Sequence, residues 1–200
     1  MAKKTDNAQV HELLLQALET ERGGIKVYTA AIQAAQNEDL RKEWEEYLDE
    51  TRTHEQVLTN VFAELGMDTE EFSPGREVVA HQGASLVKAI EMAMAKASPA
   101  AAELVAAECV VLAETKDHQN WELIGKVAEA GGANAKVLKQ AFEAVEKDED
   151  HHLYHTMGWC RELWIQSLGM PAVLPPPEEI RDVETAIGAS RAQQARDQML

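Results

Sequence analysis

The chain has 200 residues, 45% of them hydrophobic, so it is long and apolar enough for one ordinary core and is not a disordered polymer. Nineteen basic against 35 acidic side chains leave a net charge of −16, which argues against nucleic-acid and anionic-membrane partners, since both need a basic face. Two cysteines, Cys109 and Cys160, with no CxxC, offer neither a disulfide framework nor a thiolate zinc site. Ala, Glu, Leu, Gln and Lys dominate and strand-like alternation is scarce, so the class is all-α.

In chain order, residues 1–6 have no apolar stretch behind them, so no signal peptide is expected. No window approaches the length of a membrane span, and a cytoplasmic protein is the expectation. A first helix is predicted over residues 7–35. Asn37-Glu38-Asp39 is a tight turn in which Asn37 or Asp39 caps a second helix, 40–65, that stops at Gly66. Residues 68–83 read as a loop, with Ser73-Pro74-Gly75 as its clearest breaker, before a short apolar helix over 85–97. Ser98-Pro99 restarts the chain as a third long helix, with Pro99 at a tolerated first-turn position, ending at Gly131-Gly132. Asn134 is expected to cap a fourth, which runs to about Leu168-Gly169. Pro171 and the prolines at 175–177 end the bundle, and a polar, weakly amphipathic helix over 178–196 reads as an appendage or an oligomer contact. The plan is an antiparallel four-helix bundle of two hairpins, with a long helix-containing crossover and an extra C-terminal helix. Residues 1–170 form the bundle and 171–200 a Pro-rich linker and helical tail.

Four stripes at helical spacing carry the core, and an ionisable group interrupts each about midway. The first reads Leu14, Leu18, Glu21, Ile25, Tyr28, Ile32. The second reads Trp44, Leu48, Thr51, His54, Leu58, Val61, Leu65. The third reads Leu104, Ala107, Val111, Glu114, His118, Trp121, Gly125, Ala128, and the fourth Leu138, Phe142, Val145, Glu149, His152, Thr156, Trp159, Leu163. Glu21 lies 16 residues before Asn37 and His54 15 after Asp39. At about 1.5 Å per residue, both then sit roughly 23 Å from their turn. Glu114 lies 18 residues before Gly132 and Glu149 17 after it. Buried carboxylates and imidazoles are costly unless paired or bound to a cation, so breaks meeting at one level point to a metal site. Glu149-x-x-His152 puts carboxylate and imidazole side by side on one helix face, a donor pair that suits iron, manganese or zinc.

These residues resemble the ferritin-like superfamily and, within it, the rubrerythrin bundle, over residues 7–169. The resemblance implies one glutamate on each of the first and third helices and an ExxH on each of the second and fourth. Glu21, His54, Glu114, Glu149 and His152 match that pattern, and Tyr28 matches a tyrosine that hydrogen-bonds to the ligands from behind. Thr51 stands where the family has a bridging glutamate; Glu50, about 100° round the helix, is the nearest carboxylate. His118, one turn after Glu114, is a further ligand candidate from spacing. The four-cysteine rubredoxin-like module of full rubrerythrins is absent from the sequence.

The resemblance implies an iron centre, mono- or dinuclear, with ferroxidase or peroxidase-type chemistry on oxygen or peroxide, and manganese or zinc as other metals. A homodimer is expected. The competing reading is a metal-free helical scaffold acting through protein–protein contacts. His151 and His155 read as solvated flank residues. The four tryptophans read as core, Met67, Met92 and Met94 as gap fillers, and neither cysteine carries a sign of catalysis.

Overall fold

The computed structural model describes residues 7–200, and every regular element among them is helical. The N-terminal reading at residues 1–6 lies outside the described residues. Asn37 starts the second helix, its side chain accepting from the backbone N–H of Asp39 and Leu40 at 2.9 and 3.2 Å. It ends the turn between α1 (Asn7–Ala34) and α2 (Glu38–Leu65). The buried carboxylate of Glu103 holds that turn from outside, accepting from the backbone N–H of Gln36 and Asn37 at 2.7 and 2.6 Å. Gly66, at φ 66°, closes α2 in the left-handed conformation that glycine adopts without Cβ strain.

The crossover helix is longer than its sequence suggested. Ser73 is not a breaker but a cap, accepting from Arg76 N–H at 3.0 Å, and Pro74 takes the first helical position. The resulting α3 (Pro74–Lys96) has 23 residues, about 35 Å of helix. That length follows from topology: α2 ends at one end of the bundle and α4 (Pro99–Ala130) starts at the other. α3 packs in the groove between α1 and α4. Gly23 and Gly83 let α1 and α3 approach, since a Cβ on Gly83 would lie 3.3 Å from Gly23 Cα.

α5 (Ala135–Ser167) completes the bundle, with α1–α2, α2–α5, α5–α4 and α4–α1 as its packed sides. Asn134 occupies the cap position of α5, but its side chain makes no capping hydrogen bond. The expected last helix is broken. α6 (Pro177–Ile180) stops at Asp182, which has φ 49°, and α7 (Ala186–Gln194) restarts on a Thr185 cap before a short 3-10 turn, Arg196–Gln198. This strap lies on α5 and buries Val173, Glu178, Val183 and Ala192. Arg161 grips Glu178 with two 2.7 Å hydrogen bonds. Trp164, read as core, is 42% exposed: Glu162 and Leu163 take the buried face of this turn, and the Trp164 indole donates to Glu108 on α4 at 3.0 Å. Met92 and Met94 likewise face outward from α3.

The core divides into two apolar clusters. One contains Val27, Tyr28, Leu40, Trp44, Leu48, Val110 and Trp159; the other contains Leu14, Leu18, Leu58, Phe62, Trp121, Ile124, Leu138 and Val145. Each long helix crosses from one cluster to the other. Between them, α1 contributes Glu21, α2 Thr51 and His54, α4 Glu114 and Asp117, and α5 Glu149 and His152, all buried.

Candidate metal centre

Glu21, His54, Glu114, Glu149 and His152 are each 2% exposed or less. His54 Nδ1 lies 2.9 Å from Glu149 Oε1. His152 Nδ1 lies 3.9 Å from the same oxygen and 3.6 Å from Glu114 Oε2. Ligand atoms of His54, Glu149 and His152 fall within 4.8 Å of one another, as do those of Glu21, Asp117 and Glu149. Glu149 therefore joins two three-residue groups into one layer.

Both imidazoles point the same way. His54 Nε2 faces Asp148 Oδ2 at 3.3 Å, and His152 Nε2 faces Glu50 Oε2 at 2.8 Å. An imidazole anchored through its outer N–H on a carboxylate turns its other nitrogen inward, the arrangement typical of metal-ligating histidines. Glu50 thus lies behind His152 rather than inside the layer: as the helical angle from Thr51 requires, its carboxylate emerges on the flank. The two rings stack, with centroids 5.6 Å apart, and Tyr47 covers His152 at 4.2 Å.

Thr51 is buried but turned away, its hydroxyl donating to Tyr47 O at 2.7 Å. Its methyl faces Gly24, where an added Cβ would come within 3.3 Å of Thr51 Cγ2. No carboxylate enters the layer from α2. Asp117 on α4 adds one that the spacing argument missed. From Glu114 to Trp121 is seven residues, and a helix covers that as three plus four or as four plus three. The structure takes the first, burying Asp117 and leaving His118 on the flank with its Nε2 2.9 Å from Asp150 Oδ1. His118 lines a surface cavity of about 260 Å³ between α4 and α5 that also touches Trp121 and Glu149 and is bordered by Thr185 and Ala186 of the strap.

Burial and mutual repulsion act on these acids together. Desolvation, with the charges of Asp117 and Glu149, holds the Glu21 carboxyl well above the usual range, although Trp121 Nε1 donates to it at 2.7 Å. Desolvation and the charges of Glu149 and Glu114 do the same to Asp117. Glu149 is raised chiefly by desolvation, partly offset by His54. For His152 burial pulls the other way, but the adjacent Glu114 carboxylate, the hydrogen bond to Glu50 and the Glu149 charge outweigh it and lift the imidazole to about 10. Tyr28 is raised by burial and by the adjacent Glu114 carboxylate. Glu21 Oε2, Glu114 Oε2, Asp117 Oδ1, Glu149 Oε2, His152 Nδ1 and the Tyr28 hydroxyl are buried with no hydrogen-bond partner among the described residues. Buried polar atoms left this way are rare, and a site crowded with acceptors is completed by a cation.

A second polar group also escaped the sequence reading. His155, expected to be solvated, is buried by the strap, its Nε2 donating to Val183 O at 3.0 Å and its Nδ1 2.6 Å from Glu179 Oε2. Only the fold of residues 178–183 over α5 makes this visible.

The fold and the layer together define a ferritin-like helical bundle with a buried carboxylate–imidazole centre. The chain belongs to the family described as domain of unknown function DUF892, which matches residues 5–111, just over half of the sequence, and lies in the ferritin-like superfamily. The match takes in Glu21, Thr51 and His54 and stops three residues before Glu114. No curated protein and no solved structure matches the chain. Among the described residues no helix is long and apolar enough to cross a membrane.

Proposed function

We propose that the layer binds iron, in a mono- or dinuclear centre of rubrerythrin-like type, and that the protein handles iron or a small oxidant, oxygen or peroxide. The observation that carries this reading is the convergence of four buried carboxylates and two inward-facing Nδ1 atoms, with acceptor oxygens unsatisfied, in a layer sealed above and below by apolar side chains. Mixed oxygen and imidazole donors suit iron, with manganese and zinc next.

Glu21, Glu114, Asp117, Glu149 and the Nδ1 atoms of His54 and His152 would hold the metal. Bound iron would supply one-electron cycling between its ferrous and ferric states. Glu50 and Asp148 fix the imidazole orientations, and Trp121 fixes Glu21. The Tyr28 hydroxyl, buried beside Glu114, is placed to donate to a carboxylate oxygen there. Asp117 offsets the carboxylate lost at Thr51 from the opposite side of the bundle, which makes the centre asymmetric. The cavity at His118 reaches Glu149 between α4 and α5 and is the route by which a small oxidant would approach.

The test is metal content. Protein purified without chelator, or loaded anaerobically with Fe(II) and then exposed to air, should retain iron and gain a near-ultraviolet charge-transfer absorption. Asp117→Asn should lower the iron retained. Protein that holds no metal after loading would return the chain to the metal-free scaffold reading.

A further inference from the structure

We propose that Glu43 of α2, His155 of α5 and Glu179 of α6 form a second divalent-metal site, separate from the central layer, that clamps the C-terminal strap to the bundle. One ligand atom from each residue lies within 4.8 Å of the other two. The three come from elements far apart in sequence, so only the docked strap assembles them.

The histidine carries the argument. A backbone carbonyl can only accept, so the 3.0 Å contact between His155 Nε2 and Val183 O puts the hydrogen on Nε2. In the metal-free chain Nδ1 also carries a hydrogen, donated to Glu179 Oε2 at 2.6 Å; a metal that displaced this proton would meet an Nδ1 already turned toward Glu179, the orientation that a carbonyl-anchored imidazole adopts at a metal. Glu43 supplies the second, independent feature. Its Oε2 is engaged by Trp159 Nε1 at 2.6 Å, while its Oε1 is buried with no hydrogen-bond partner among the described residues. Tethering by Trp159 fixes the carboxylate in the group with His155 and leaves its buried oxygen without a partner among the described residues. Glu179, partly exposed on a four-residue helix, closes the group from the solvent side. One imidazole and two carboxylates on three elements make a three-ligand site with open positions, suited to zinc or manganese. The three share no ligand with the central layer: Glu43 lies eleven residues before His54 on α2, about 16 Å along the helix, and His155 stands one turn beyond His152 on α5.

Zinc alone is the probe, because it is redox-silent and its binding is independent of any iron chemistry. Chelator-stripped full-length protein is dialysed against Zn(II), and bound metal is counted for the unaltered chain, Glu179→Gln and Glu149→Gln. Glu179→Gln should bind one equivalent fewer than the unaltered chain, and Glu149→Gln should keep the strap equivalent. Zinc at ten times its dissociation constant should also slow tryptic cleavage after Arg181 about tenfold in the unaltered chain and in Glu149→Gln. That second readout needs no substitution in the strap. Equal zinc in Glu179→Gln and the unaltered chain, or cleavage after Arg181 indifferent to zinc, overturns the proposal. Zinc lost only through Glu149→Gln removes the strap site and leaves the central one, and zinc lost only through Glu179→Gln does the reverse.

Discussion

Glu149→Gln should change stability in opposite directions with and without metal. Glu149 is buried, one carboxylate oxygen lacks a partner, the Glu114 charge adds to the desolvation that raises it, and its own charge in turn raises Glu21 and Asp117. In the metal-free protein, removing that charge relieves a desolvation penalty of about 1–3 kcal/mol, the usual cost of an unsatisfied buried group. The amide can still meet His54 Nδ1, now 2.9 Å from the carboxylate, so little packing is lost. At about 2–4 °C per kcal/mol for a chain of this size, the metal-free variant should melt roughly 2–12 °C above the metal-free parent. With metal present at a thousand times its dissociation constant the parent gains about 4 kcal/mol, which a variant lacking the shared carboxylate forfeits. Thermal melts by circular dichroism, with chelator and with Fe(II) or Mn(II), give both comparisons. A variant that melts lower than its parent in chelator would refute the charge-crowding argument. A parent whose midpoint ignores metal would refute the second half.

The metal-free protein should lose stability as pH rises. Burial first, then the nearby Glu179 charge, raises Glu43 from 4.5 to about 8, and His152 is raised from 6.5 to about 10. In each case the folded chain holds a proton that the unfolded chain releases, so the stabilisation is full below the unfolded value and is lost as pH climbs through the folded one. Denaturant melts should fall over about pH 4.5–8 from Glu43 and 6.5–10 from His152, by about 1.4 kcal/mol per pH unit for each linked proton, with the lowered Glu179 opposing in part. Bound metal displaces such protons, so metal-loaded protein should show a flatter or reversed trend. Gly158→Ala should loosen the strap, because the new Cβ would meet Glu178 Oε2 at 2.5 Å and Pro176 Cβ at 3.1 Å where Arg161 pins Glu178; a loss of about 1–3 kcal/mol and faster proteolysis after residue 170 are expected. Glu103→Ala should cost about 1–3 kcal/mol by orphaning the Gln36 and Asn37 N–H groups, while Glu103→Gln should keep most of that in a denaturant melt.

Helical periodicity was enough to read four long helices, their turns and the depth at which Glu21, His54, Glu114, Glu149 and His152 meet, because side chains seven residues apart return to one face and antiparallel neighbours share a level. It could not choose between Asp117 and His118: both fit a stripe between Glu114 and Trp121, and the packing of α4 against α1 and α5 decides which enters. Nor could it see that Pro74 opens a helix, since Ser-Pro-Gly reads equally as a break and as a cap. The return path from the end of α2 to the start of α4 requires the longer helix. The outward bonds of His54 and His152 to Asp148 and Glu50, and the burial of His155 under a strap more than twenty residues away, are properties of the folded chain alone. Local pattern records which face a side chain occupies; only tertiary contact decides what stands opposite it, how dry that place is, and hence what chemistry its acids and imidazoles can perform.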